Sequence, residues 1–195
     1  MTAIRTYIVE HDLGFAPNPF WGACTLAACK PLIRKAAAQG DVIIGTTAAR
    51  HGRGRLTYWM RVEEILSFDE YWHDDRFRRK KPHLAGSKIQ RYGDNIYYKG
   101  NEGSYVQVDS FHSKEGGICA EDNYQNDLGT TDKVLISKEF TYWGRLAPII
   151  PDELGEFVLP GVGQKWNFSP QQVADFLGWL SVLGPQGVQG FPADW

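Results

Sequence analysis

Apolar and polar positions alternate most cleanly from Arg55 to Leu66. Leu56, Tyr58, Met60 and Val62 fall on one face, and Thr57, Trp59, Arg61 and Glu63 on the other. That period of two marks a strand with one buried face. The apolar run Val42-Ile43-Ile44-Gly45-Thr46 predicts a buried partner strand, so the two read as a hairpin with a long basic, Gly-rich tip at residues 50–54. Ile4 to Val9 predicts a first strand. Pro31 to Gln39 predicts a helix, with proline in its first turn and Gly40 as its stop. Ser67 and Glu70 have capping-box spacing and predict a short helix through Trp72. Residues 76–91 show no period and read as loop. Ile96 to Tyr98 and Tyr105 to Val108 flank a Gly-Asn-Glu-Gly turn as a second hairpin, and residues 112–132 read as polar and turn-rich. Lys133 to Ile136 predicts a strand. Ser169 caps a last helix whose apolar face carries Val173, Phe176, Leu177, Leu180 and Leu183. The sum is an α+β chain: a small, curved, mostly antiparallel sheet or partial barrel, flanking short helices and a C-terminal helix. No repeat or linker divides it, so residues 1–195 read as one domain with 161–195 as a C-terminal helical extension.

Composition adds two things. Aromatic residues make up 13% of the chain and tryptophan alone supplies 7, a surplus that suits an aromatic core or stacking surfaces. Net charge is only -2, which excludes a uniformly basic polyanion binder, but the charges are unevenly spread. Residues 50–91 carry eleven basic side chains against six acidic, while from residue 92 onward fourteen acids face six bases. A positive patch is expected on the middle segment, with Arg53, Arg55, Arg78, Arg79, Lys80 and Lys81 as phosphate contacts. The tip around Arg53 lacks the Gly-Lys-Ser/Thr ending of a P-loop. The chain shows no secretory leader and no stretch of membrane-spanning length, and its 3 cysteines are an odd number. A reducing, cytoplasmic setting with free thiols is therefore expected, and no membrane partner.

Candidate chemistry concentrates in Asn18-Pro19-Phe20-Trp21-Gly22-Ala23-Cys24-Thr25-Leu26-Ala27-Ala28-Cys29-Lys30-Pro31. Rings beside a few polar groups suit a small-molecule or nucleobase pocket. A thiol with a histidine partner, Cys24 or Cys29 with His11 or His112, would make a nucleophilic dyad. Lys30 could favour a thiolate or hold a phosphate, and Asp94 and Asp109 are candidate general bases. Cys24, Cys29 and Cys119 with His11 and His112 do not give the two tight pairs of structural zinc, so neither metal nor cofactor is expected. Phe20, Trp21, Trp59, Tyr142 and Trp143 are rings in turns or on polar strand faces, and Asn95, Asp109, Ser110 and His112 could read polar edges of a base.

Several blocks together resemble a known family. They are the run from Asn18 to Pro31, Gly40 to Thr46, Phe68 to Trp72, Arg76 to Pro82, Gly93 to Tyr97, Asp109 to Ser113, and Val134 to Ser137 with Phe140, Tyr142, Trp143 and Gly144. In this order, over about residues 4–160, the chain resembles the second nucleotide modification associated domain family of bacteria and phages. That resemblance implies association with DNA base-modification systems. The helix, Gly-Asp, buried strand and basic tip are more loosely similar to the PUA-like group, which includes modules that hold a flipped modified base in an aromatic cage. The group also contains an amidohydrolase of a modified nucleoside that uses Lys, Thr and Glu, of which Thr25 and Lys30 resemble a part. The leading expectation is recognition of a modified base in nucleic acid, most simply DNA, with Asn18, Phe20, Trp21, Asn95, Ser110, Tyr142 and Trp143 around the base. The rival is an enzyme that installs, trims or removes a base modification, working through Lys30, Cys24, Thr25, Asp109 and His112. A third expectation is an interaction subunit of a modification or restriction complex.

Overall fold

The computed structural model describes residues 2–195. In chain order the strands are β1 (Ile4–Val9), β2 (Cys24–Leu26), β3 (Val42–Thr47), β4 (Leu56–Arg61), β5 (Glu64–Ser67), β6 (Tyr97–Lys99), β7 (Tyr105–Gln107), β8 (Lys133–Ser137), β9 (Phe140–Tyr142), β10 (Gln164–Lys165) and β11 (Gly187–Val188). The α-helices are α1 (Pro31–Ala36), α2 (Phe68–His73), α3 (Lys88–Arg91), α4 (Glu121–Leu128) and α5 (Pro170–Ser181). The fold is α+β, as the pattern predicts. A six-stranded sheet in the order β10-β1-β3-β4-β9-β11 packs against a three-stranded sheet β2-β8-β5, and β6 and β7 form a separate hairpin. Within these sheets the pairs β1–β3 and β9–β11 are parallel and the remaining pairs antiparallel.

Both faces of the large sheet are covered, which changes the reading of β4. One core holds Tyr7, Val9, Cys24, Leu26, Ile33, Tyr58, Met60, Leu135 and Tyr142. The other holds Ile4, Ile44, Leu56, Trp59, Trp143, Phe157, Phe176 and Leu180 beneath α5. Trp59 is therefore buried rather than displayed on a polar face. Leu56 lies with Trp59, not with Tyr58, because the register between β3 and β4 slips: Gly45 pairs with Tyr58 but Thr46 pairs with Leu56. Thr57 is the extra residue of a bulge, and one extra residue inverts the facing of everything before it.

Helix caps follow the sequence closely. Ser67 and Glu70 form the capping box of α2, and Ser169 and Gln172 that of α5, whose predicted apolar face packs into the second core. Helix α1 stops at Ala36, short of Gly40, because the Asp41 carboxylate accepts the Ala38 amide at 3.1 Å and ties it to Arg5 and the Ala3 amide instead. Residues 76–91, expected as loop, contain the 3-10 turn Asp75–Lys80 and helix α3. The turn-rich segment 112–132 contains α4. Residues 161–195 carry the expected helix and also supply both edge strands, β10 and β11. Among the described residues no helix is long and apolar enough to cross a membrane.

Gly45 is required by a ring. A Cβ there would stand 2.4 Å from Tyr58 Cε1 and 2.6 Å from Val9 Cγ2. The Tyr58 ring lies across that gap to meet Tyr7, hydroxyl to hydroxyl at 2.9 Å. Gly45→Ala is expected to destabilise the fold by about 1–3 kcal/mol, the usual cost of overpacking a core. Urea denaturation measures it, and a change below about 0.5 kcal/mol, the range of surface substitutions, would contradict this reading.

Candidate functional site

Strand β2 runs into α1 through a tight turn at Ala27–Lys30. Cys29 and Lys30 adopt left-handed φ values of 59° and 44°, rare for residues with side chains. Pro31 can follow because the first turn of a helix needs no donor from it. Two contacts hold the strained turn. The Cys29 amide donates to Asp127 Oδ1 at 2.6 Å, and Arg34 Nε donates to the Cys29 carbonyl at 2.8 Å. Arg34 is fully buried and also donates to the carbonyls of Lys133 and Asp127, so one guanidinium clamps α1, α4 and β8. Burial lowers Arg34 to about 10, which leaves it a cation at neutral pH.

The turn presents a thiol to a histidine. Cys29 Sγ lies 3.6 Å from His112 Nε2, and His112 Nδ1 lies 2.7 Å from Asp127 Oδ2. This is a nucleophile, a base and a group that orients the base. Burial disfavours the imidazolium, but the hydrogen bonds to Asp127 and Cys29, with the charges of both, outweigh it and raise His112 to about 9. The relay opens on a cleft of about 510 Å³ walled by Tyr7, Phe15 and Phe111, with Lys30 and Asn126 among its polar groups. Lys30 Nζ sits 4.8 Å from the Tyr7 ring centre, and burial pulls its ammonium below the usual lysine range.

The ligand atoms of Cys29, His112 and Asp127 lie within 4.8 Å of one another, the dimension of a metal site. The carboxylate is already occupied, however. Asp127 Oδ1 accepts the Cys29 amide, and Oδ2 accepts the Tyr97 hydroxyl at 2.9 Å and faces His112 Nδ1. Only Sγ and Nε2 remain free to face the cleft, so the donor set fits a proton relay better than a three-ligand metal centre.

A second polar cluster lies wholly inside the protein. Lys80 Nζ donates to the Asn18 carbonyl at 2.9 Å, Asn18 Oδ1 at 2.8 Å and Thr25 Oγ1 at 3.0 Å. Thr25 in turn donates to Asp94 Oδ2 at 2.6 Å, and the Tyr71 hydroxyl to Asp94 Oδ1 at 2.8 Å. Burial lowers Lys80 to about 8 against the attraction of Asp94, and raises Asp94 against the attraction of Lys80.

The expected site residues are thus distributed among several places. His112 and Lys30 meet at the cleft, joined by Cys29 of the proposed dyads. Cys24 is buried in the first core, where burial pushes its thiol up. Thr25, Asn18 and Lys80 belong to the internal cluster, so Lys80 offers nothing to an outside phosphate. Asp109 is exposed and accepts from Ser113 at 3.0 Å in a turn. Asn95 and Ser110 are buried, and Asn95 Oδ1 and Ser110 Oγ lack hydrogen-bond partners. The rings are not gathered either. Phe20 stacks on Trp195, Tyr142 donates to Asp12 within the first core, Trp143 lies in the second core, and Trp21 lies under Arg79. Arg53 is exposed, and Arg55 donates to the Ala147 carbonyl. Cys24, Cys29 and Cys119 are free thiols. Asp127 and Arg34 escaped the sequence reading. A lone acid at the buried side of a polar helix, and a lone arginine in α1, are visible only as ordinary surface charges.

The geometry defines an α+β domain with a thiol–imidazole–carboxylate relay at the head of an aromatic cleft. The chain belongs to the nucleotide modification associated domain 2 family, whose model matches residues 1–195. Membership associates it with nucleotide modification. No curated protein matches it in sequence. Among solved structures it is similar to an ASCH protein from Zymomonas mobilis, at 11% identity, covering 95% of this chain and 98% of that one with a TM-score of 0.37. At that score the likeness carries no inference about function.

Two predictions concern the buried charges. Lys80→Met is expected to cost about 3–5 kcal/mol, because it strands the Asp94 carboxylate. Lys80→Met with Asp94→Leu should recover part of that loss in thermal melts, and failure to recover any would deny the coupling. His112 has a folded value of about 9 against an ordinary 6.5. Its contribution to stability is therefore complete below pH 6.5 and is lost as pH rises through about 9. Lys80 is depressed, so it adds stability only as pH rises above about 8. Between pH 6.5 and 8, urea denaturation should show stability falling by up to about 1.4 kcal/mol per pH unit, and His112→Asn should flatten that slope.

Proposed function

We propose that the chain is a thiol-dependent enzyme that removes or trims a substituent on a nucleobase, with the modified base held in the cleft beside Cys29. One observation carries the reading: a strained turn aims Cys29 Sγ at His112 Nε2, and Asp127 holds both partners. Phe15, Phe111 and Tyr7 give a base-sized ligand apolar walls, and Lys30 and Asn126 supply polar contacts. Family membership supports a nucleotide as the ligand class.

The residues divide the work as follows. The Cys29 thiolate attacks an electrophilic carbon of the substituent, forming a carbon–sulfur bond. As the carbon–nitrogen or carbon–oxygen bond to the base breaks, the His112 imidazolium gives its proton to the departing atom. His112 then takes a proton from water, whose oxygen displaces the sulfur, and the thiolate and imidazolium are restored. The Cys29 amide is committed to Asp127, so Lys30 is the cation in the cleft for negative charge that develops on an oxygen.

Two measurements test this. Iodoacetamide at neutral pH should alkylate Cys29 ahead of the more exposed Cys119, and His112→Ala should abolish that preference. Nucleosides from modified DNA incubated with the protein should show a new mass, absent with Cys29→Ala, and the rate should fall as pH passes about 9, where His112 loses its proton. Unreactive Cys29 together with no new mass would overturn the reading. Retention of an intact modified base by wild type and Cys29→Ala alike would establish recognition without turnover.

A further inference from the structure

Besides the buried Lys80, residues 78–91 gather five basic side chains on one short stretch of chain. Four arginines of the chain are neutralised by carboxylates: Arg5 by Asp41, Arg50 by Asp194, Arg61 by Glu139, and Arg76 by Glu64 and Asp74. Among the described residues no carboxylate pairs with Arg78, Arg79, Lys81, Lys88 or Arg91. Aromatic rings hold several of them instead. The Arg79 guanidinium lies 3.7 Å from the Trp21 ring centre, and Lys81 Nζ 3.8 Å from that of Trp72. Trp72 is backed on its own ring by Tyr98, at 4.9 Å and 24°. A ring fixes a cation without cancelling its charge. Trp21, Arg78, Arg79, Lys81, His83 and Gln90 line a groove of about 580 Å³, and Trp21 Nε1 is buried beside it with no hydrogen-bond partner.

The same stretch reaches the cleft. His83 donates its amide to the Gln90 carbonyl at 2.9 Å, tying the basic loop to α3. Tyr92, next along the chain, packs edge-on against Phe111, a wall of the cleft, with ring centres 5.3 Å apart. Trp72 and Trp21 each carry a cation, so the groove offers charges rather than ring faces. That arrangement suits phosphates and does not suit stacking of bases, which needs an open ring.

We infer that Arg78, Arg79, Lys81, Lys88 and Arg91 form a sequence-independent binding track for the phosphodiester backbone of a nucleic acid, leading to the Cys29 cleft. This deepens the proposed function, on which it rests only for the role of the cleft: the base that enters is part of a strand rather than a free nucleotide.

Fluorescence anisotropy of a labelled mixed-sequence oligonucleotide, as single strand and as duplex, tests it across a salt series. Wild type should bind at least one form, with log Kd rising linearly with log salt. Arg78→Glu/Arg79→Glu/Lys81→Glu should lose about tenfold or more in affinity and lower the salt slope by about 2–3. The Gln triple variant should fall between, which guards against a folding defect in the Glu form. The oligonucleotide carries only unmodified bases, with no substituent to remove, which separates this inference from the enzymatic one. Absence of salt-dependent binding by wild type, or an unchanged slope in both triple variants, would overturn the track even if Cys29 proves catalytic on free nucleotides.

Discussion

The ammonium of Lys80 is the buried charge through which the turn before β2, β2 itself, α2 and the segment before β6 are joined. Withdrawing a lysine and an aspartate from water costs several kcal/mol per ion, and such a pair survives only when its remaining hydrogen-bonding capacity is met. Here it is met in full on the lysine side, by the Asn18 carbonyl, Asn18 Oδ1 and Thr25 Oγ1, and on the acid side by Thr25 and Tyr71. Those partners come from the turn before β2, from β2 itself, from α2 and from the segment before β6. Two buried charges bridged by Thr25 therefore hold β2 in place, and with it the exit turn that carries Cys29. They also explain the close approach at Gly93, where a Cβ would stand 2.3 Å from the Lys80 carbonyl oxygen. With Lys80 drawn inward, its neighbours Arg78, Arg79 and Lys81 are left facing out.

A second buried charge does for chemistry what Lys80 does for architecture. Asp127 receives the Cys29 amide, the Tyr97 hydroxyl and His112 Nδ1 on its carboxylate, and Arg34 holds its carbonyl. The carboxylate offsets the backbone strain at Cys29, orients the His112 ring and favours its imidazolium. The thiol and its proton acceptor are thus located by groups that do not themselves face the cleft, the arrangement in which side-chain rotamers are fixed before a ligand arrives.

Strands β1, β3, β6, β7 and β8, the caps of α2 and α5 and the apolar face of α5 were legible because each is a local pattern, whereas β2, β10 and β11 are too short to show a period, and the alternating run Arg55 to Leu66 breaks into β4 and β5 of different sheets. Leu56 was not legible either, since a bulge is one residue of slack that alternation does not reveal. The dyad was half legible. Cys29 and His112 were among the pairings the sequence allowed, but a sequence cannot say which of two thiols is buried in a core. Asp127 sits in a helix whose other residues are mostly polar, so nothing in the pattern distinguished it from a solvated acid. Lys80 was misread as a phosphate contact for the complementary reason: a charge in a basic run looks like its neighbours until desolvation is known. Of the aromatic candidates, Tyr142 ends β9 and Trp143 follows directly after it, beside a sheet covered on both faces, so one enters each core rather than a pocket.

The order of strands in the large sheet has a consequence for how the chain is made. The four inner strands are complete by Tyr142, yet both outer strands, Gln164–Lys165 and Gly187–Val188, come later. During synthesis from the N-terminus, the sheet must wait with two unpaired borders, each a template for another nascent chain. A ribosome pausing between residues 143 and 187 would lengthen that exposure.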